Sequence, residues 1–156
     1  MERTLIILKP SALQRRLIGE ILTRFERKGF IISGMKMMKL DEKILDEHYA
    51  HLTDKPFYPR IKKSMMSSPV VVCCVQGVNA IPVVHAMAGV TNGRSAAPGT
   101  IRGDFSMSVQ ENVIHTSDSA KTAKEEIARF FSPDEIFDYD IATLHYLYAD
   151  DEVALE

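Results

Sequence analysis

A histidine can do covalent chemistry where one ring nitrogen is held by an acceptor and the other keeps a lone pair for a substrate. His115 has that setting. It closes the short run Asn112-Val113-Ile114-His115, a hydroxyl follows two residues on at Ser117, and Glu126 lies beyond the cap residues Ser117-Asp118-Ser119. The next helix has the apolar stripe Ala120, Ala123, Ile127 and Phe130, and Glu126 borders it, so the carboxylate can turn inward and steady charge on the ring. Ser117 can donate to a leaving oxygen. Arg102 is carried by the loop Gly89 to Asp104, whose Asn92-Gly93, Pro98-Gly99 and Gly103 mark a long turn-rich segment of the functional kind. These parts suit phosphoryl transfer through histidine. Neither G-x-x-x-x-G-K-[ST] nor G-x-G-x-x-G occurs, so a phosphate cradle of the P-loop or Rossmann type is excluded, and no zinc motif is present.

The elements that must position these residues can be read from periodicity. Thr4 to Leu8 is a buried strand closed by Lys9-Pro10. Ser11 and Gln14 match a capping box, and Leu13, Leu17, Ile18, Ile21, Leu22 and Phe25 predict one helix ending at Gly29. Phe30 to Leu40 alternates as a second strand. Asp41 caps a helix with the stripe Ile44, Leu45, Tyr49 and Leu52, His48 sharing that side, and a short helix is expected over 58–66. Val70 to Val75 is a continuous apolar run, as in a central strand covered on both faces. Asn79 is placed to cap the helix that follows, to about Ala88. The remaining elements are a strand at 112–115, a helix to about Phe131, and a further helical turn at Ser132-Pro133-Asp134-Glu135. The aromatic tail Tyr139 to Tyr148 packs on the domain or on a neighbour. This order predicts an α+β, ferredoxin-like sandwich: a four-stranded antiparallel sheet with helices on one face, one domain over 1–156.

Composition narrows the function classes. The chain has 156 residues, 46% hydrophobic and 26% charged, with a net charge of -2. That balance gives no broad cationic field for nucleic acid or an anionic membrane, so an anionic ligand needs a local cluster. The only cysteines, Cys73 and Cys74, are adjacent on a strand and point to opposite faces, which excludes a disulfide framework. No long apolar run and no signal-type region occur, and a soluble cytoplasmic protein is expected.

Asn112-Val113-Ile114-His115-Thr116-Ser117-Asp118-Ser119 resembles the active-site signature of nucleoside diphosphate kinases, with Thr116 where glycine or alanine is more usual. Thr4-Leu5-Ile6-Ile7-Leu8-Lys9-Pro10, Glu47-His48-Tyr49, Lys55-Pro56-Phe57-Tyr58 and Pro98-Gly99-Thr100-Ile101-Arg102-Gly103-Asp104-Phe105 resemble further segments of that family, in the same order. The resemblance implies that His115 becomes phosphorylated in a ping-pong transfer of the γ-phosphoryl group between nucleoside triphosphates and diphosphates. Glu126 would orient its ring, Ser117 would assist the leaving group, and Lys9 and Tyr49 would stand close by. Nucleotide binding would fall to Lys9, Phe57, His85, Thr91, Arg102 and Asn112, with Phe57 stacking on any base. Mg²⁺ is the implied cofactor, carried on the phosphates without a protein-built cage, and Asp118 is the one carboxylate considered as a ligand. A homo-oligomer is implied. The family's phosphate-binding arginine falls on His85, which lacks a permanent charge and a fork. Uncompensated, that exchange costs roughly a ten- to hundredfold loss of nucleotide affinity, and Arg94 is the candidate replacement.

Other assignments are more ordinary. His48 reads as a packing residue, His51 and His145 as solvent or interface groups, and Met35, Met37, Met38, Met65 and Met66 as packing material. Two rival functions remain: a catalytically silent family member, and a ferredoxin-like RNA-binding module. Val70 to Val75 offers the latter no aromatic platform.

Overall fold

In a computed structural model, residues 1–153 are described; the last three residues of the expected domain lie outside them. In chain order the elements are β1 (Glu2–Leu8), α1 (Pro10–Gln14), α2 (Ile18–Lys28), β2 (Ile31–Met38), α3 (Glu42–His48) and α4 (Tyr58–Met65). They continue as β3 (Val70–Gly77), α5 (Ala80–Ala88), α6 (Ile101–Phe105), β4 (Ile114–Thr116), α7 (Ala120–Phe130) and α8 (Asp150–Val153). The strands form one sheet in the order β2-β3-β1-β4, every neighbouring pair antiparallel. This is the expected ferredoxin-like arrangement, with β1 and β3 at the centre.

The helices cover both faces of the sheet, which corrects the expectation of one. Because strand side chains alternate, Ile6, Leu8, Val71, Cys73 and Val75 face one way and pack with Ile21 and Phe25 of α2 and Val84 of α5. Leu5, Ile7, Val70, Val72 and Cys74 face the other way and pack with Leu45 of α3, Met65 of α4 and Phe130 of α7. The uninterrupted apolar runs of β1 and β3 already demanded this double cover.

Three local expectations also change. The helix expected from Ser11 to Gly29 is broken between α1 and α2, where Arg16 adopts a left-handed φ of 58°. The capping box is absent: Lys9 is the N-cap residue, Ser11 Oγ is buried without a partner, and Gln14 donates to Ser68 Oγ at 3.0 Å. Asn79 precedes α5 but makes no side-chain cap; Glu2 Oε2 accepts from the Ile81 N–H at 2.9 Å instead. The other caps hold, since Asp41 accepts from Ile44 N–H, and Gly29, at φ 105°, ends α2. The aromatic tail packs on its own domain, with Tyr139 Oη donating to Ile32 O and Tyr148 Oη accepting from Val78 N–H.

Candidate active site

His115 is the middle residue of β4, paired with Ile7 of β1, between two buried neighbours. Strand alternation sends its ring to the opposite side from Ile114 and Thr116, where it keeps 20% exposure. The strand begins two residues later than expected because the chain first makes a sharp turn. Ile114 N–H bonds Asn112 O at 2.8 Å across Val113, which has φ 62°. An i→i+2 bond around a residue of that hand is the rare, strained form of the γ-turn, and it is most costly for a β-branched residue. The turn leaves Val113 O to accept from Lys9 N–H at 2.9 Å, which ties the end of β1 to the entry of β4.

Behind the ring stands α7, capped by Ser119 through Thr122 N–H. It delivers Glu126, only 4% exposed. Both carboxylate oxygens lie 3.0 Å from His115 Nε2, and Oε2 accepts from Ser117 Oγ at 2.6 Å. Burial alone would push the Glu126 carboxyl up, but the hydrogen bonds from His115 and Ser117 and the nearby imidazole charge outweigh it, holding the group below the usual carboxylate range. With Nε2 donating to Glu126, the lone pair of Nδ1 is the one left for a substrate.

His115 opens into a cleft of about 810 Å³. Lys9, Tyr49, Phe57, His85, Thr91, Arg102 and Asn112 all line it, so every residue implied for nucleotide binding is brought to one place, with Ser117 and Glu126 buried behind. Lys9 Nζ donates to Asn112 Oδ1 at 2.6 Å, and Asn112 Nδ2 donates to Thr91 O and Val109 O. Burial, then the charge of Arg102, lowers Lys9 to about 8. Arg102 is buried too, with Nη1 on Gly89 O and Nη2 on Ile114 O, both at 2.7 Å. It staples the loop to β4 as well as presenting charge. Tyr49 is 9% exposed, its ring 6.5 Å from that of His115, and burial pushes its phenol well above its ordinary value. Phe57, 39% exposed, is free to offer a ring face.

His85 is held by its neighbour on β4: its Nδ1 lies 3.3 Å from Thr116 Oγ1. Arg94 also lines the cleft, on a turn pressed against the segment 106–108. Gly93 N–H bonds Ser108 O, and a side chain at Gly93 would strike Ser106 O at 2.3 Å, so this turn needs glycine. Arg94 Nη1 donates to Met107 O at 3.0 Å, leaving its other N–H groups for a ligand.

Two residues were missed. His48, expected only to pack, is 7% exposed and its ring meets that of His115 at 4.5 Å; Arg129 Nη1 lies 3.3 Å from His48 Nδ1. The available signal was helical spacing: Arg129 follows Glu126 by three residues and shares its face. His48, His115 and Glu126 place donor atoms within 4.8 Å of one another, but His115 Nε2 gives its proton to Glu126, Ser117 also donates to Glu126, and Arg129 donates to His48 Nδ1.

Cations beside a carboxylate-held imidazole suit phosphoryl transfer, and the fold and site together are those of a phosphotransferase. The family model for nucleoside diphosphate kinase matches residues 2–136. A nucleoside diphosphate kinase from Parabacteroides distasonis is 63% identical over 152 residues, covering 97% of this chain and 99% of its own. Another from Rhodopirellula baltica is 46% identical over 152 residues, covering 97% and 100%. A halophilic nucleoside diphosphate kinase from Halobacterium salinarum, solved in complex with CDP, superposes with a TM-score of 0.92 at 41% identity, covering 94% of this chain and 98% of its own. The chain belongs to the nucleoside diphosphate kinase family.

Proposed function

We propose that this phosphotransferase moves the γ-phosphoryl group of a nucleoside triphosphate to a nucleoside diphosphate through His115 Nδ1. In the first half-reaction Nδ1 forms the N–P bond as the bond from the γ-phosphorus to the bridging oxygen breaks and the diphosphate leaves. In the second, a terminal phosphate oxygen of the acceptor takes the phosphoryl group back and the ring is restored. Nε2 keeps its proton on Glu126 throughout, so the carboxylate steadies positive charge on the ring as the bond forms. The observation that carries this reading is that hydrogen-bond geometry, which leaves Nδ1 as the free nitrogen beside a cation-lined cleft.

The other roles follow from position. Lys9 and Arg102 neutralise phosphate charge, Asn112 and Thr91 hold the sugar and phosphate edge, and Phe57 stacks on the base. A ring face reads only the π-system that every base has, so purines and pyrimidines should both be accepted. His85 supplies a contact without a permanent charge, and Arg94 supplies the missing cation. Mg²⁺ arriving with the nucleotide would supply charge neutralisation beside Lys9 and Arg102. The cleft fits a metal brought in by the nucleotide: among its described lining residues Asp118 is the one carboxylate, amid Lys9, Arg60, Arg94 and Arg102.

A homo-oligomer is supported by β2, an edge strand with Met35 and Met37 exposed at 57% and 61%. Buried free thiols at Cys73 and Cys74 suit a reducing, cytoplasmic setting. A silent relative has no physical need to keep the Lys9–Asn112 and His115–Glu126–Ser117 bonds together. Initial rates with ATP and a deoxynucleoside diphosphate test the proposal: parallel double-reciprocal lines are expected, and intersecting lines would reject the covalent route.

A further inference from the structure

One buried ring is left unused by this chemistry. His48, the last residue of α3, has a side chain only 1% exposed and does not line the cleft. Its ring stands edge-on to three others, those of His115 at 4.5 Å, Tyr49 at 4.7 Å and Phe130 at 5.3 Å. Its Nδ1 faces two groups of opposite charge, Arg129 Nη1 at 3.3 Å and Glu126 Oε1 at 3.7 Å. A guanidinium N–H can only donate, so Nδ1 accepts and the ring proton belongs on Nε2, which has no partner. Burial first, then the charges of His115, Arg129 and His51 against the opposing pull of Glu126, lowers His48 to about 3. The ring is therefore uncharged near neutral pH.

One nitrogen of an uncharged ring thus meets both a guanidinium and a carboxylate three residues apart on one helix, groups that without it would be natural ion-pair partners. Arg129 is instead drawn aside, with Nε on Glu47 Oε1 at 3.1 Å and Nη1 on His48. The separation matters because Glu126 has its oxygens committed to His115 Nε2 and Ser117 Oγ. A guanidinium on the same oxygens would compete for the lone pairs that aim the ring and would cancel the charge that steadies it.

We propose that His48 is a positioning residue: it braces the His115 ring and keeps Arg129 away from Glu126, so that the carboxylate serves the nucleophile alone. The proposal rests on His115 being the phosphorylated group. It acts on the chemical step and leaves nucleotide affinity alone, since His48 does not touch the cleft.

The test compares His48→Ala, His48→Asn and the double variant His48→Ala with Arg129→Met, by single-turnover phosphorylation from labelled ATP and by the KM and kcat split. His48→Ala should phosphorylate roughly ten- to hundredfold more slowly, the scale of a misaimed reacting group, with KM little changed. His48→Asn, whose Oδ1 can accept from Arg129, should recover most of the rate. The double variant should be faster than His48→Ala, because the freed guanidinium is gone. The nitrogen-bound proton of His115 Nε2, followed by NMR, should weaken in His48→Ala and return in the double variant. If His48→Ala does not fold, His48→Phe, which fills the space without accepting, takes its place. A single variant as fast as wild type, or a double variant no faster than the single, would overturn the proposal. If the wild-type protein is itself never labelled, the reading of His115 fails first and this proposal with it.

Discussion

Lys9 carries its charge in a place that works against it, and a measurable pH dependence follows. Burial lowers its pKa to about 8, so free enzyme loses this cation as pH rises through about 8. We expect kcat/KM to fall above that pH, and Lys9→Arg to remove that alkaline limb, because arginine stays charged. Stability should move the opposite way. The unfolded lysine titrates near 10.4, so between about 8 and 10.4 the unfolded state binds more protons and stability rises with pH. An alkaline limb that survives in Lys9→Arg would remove Lys9 as its source. Arg94 gives a second prediction at this scale. Arg94→Gln keeps an N–H for Met107 O but no charge, and should raise KM for ATP roughly ten- to hundredfold, with Arg94→Lys intermediate. Equal KM values in all three proteins would show that Arg94 only pins its loop. His115, Ser117, Glu126 and Arg102 were legible because their types and order carry the chemistry, and the other cleft residues only through the resemblance of their segments to the family. His48 was not, because a buried histidine on an apolar face looks the same in a sequence whether it fills space or separates two charges.

Among the elements, α7 and β4 matter most, since their relative placement sets the 3.0 Å contacts of Glu126 with His115. Ser119→Ala removes the α7 cap and should cost about 1 kcal/mol of stability, read as a lower Tm, while labelling of His115 persists in the folded protein. A Tm equal to wild type would mean the cap contributes nothing. Sequence periodicity found each strand and most helices, and the caps at Asp41, Ser119 and Gly29. It failed where the backbone takes a conformation that residue type disfavours. Arg16 and Val113 both have positive φ without being glycine. Nothing in their side chains announces it; at Val113 the γ-turn is tied by a contact distant in sequence, Lys9 N–H to Val113 O, whereas the α1 to α2 break is closed by local bonds such as Leu17 N–H to Ala12 O. The Asn79 cap failed for a related reason, because Glu2, distant in sequence, reached Ile81 N–H first.

At the scale of the molecule, β2 forms one edge of the sheet and only part of it is covered. The tail occupies Ser33 O through Phe137 N–H and Ile32 O through Tyr139, while Met35 and Met37 stay exposed. A second copy of the chain on that edge predicts that Met37→Glu shifts the protein to a smaller species in light scattering; an unchanged mass would move the interface elsewhere. The four-stranded antiparallel sheet could be reasoned from the sequence, and so could cover on both sides of β3, yet helices on both faces could not, because the two faces of β1 carry no sign of which helices cover them. The central claim is that His115 carries the phosphoryl group, and brief incubation with γ-labelled ATP and Mg²⁺ tests it most directly. Wild-type protein should gain an acid-labile, base-stable label that an added nucleoside diphosphate removes, and His115→Ala should gain none. Equal labelling of the two proteins, or no label on wild type, would contradict the account.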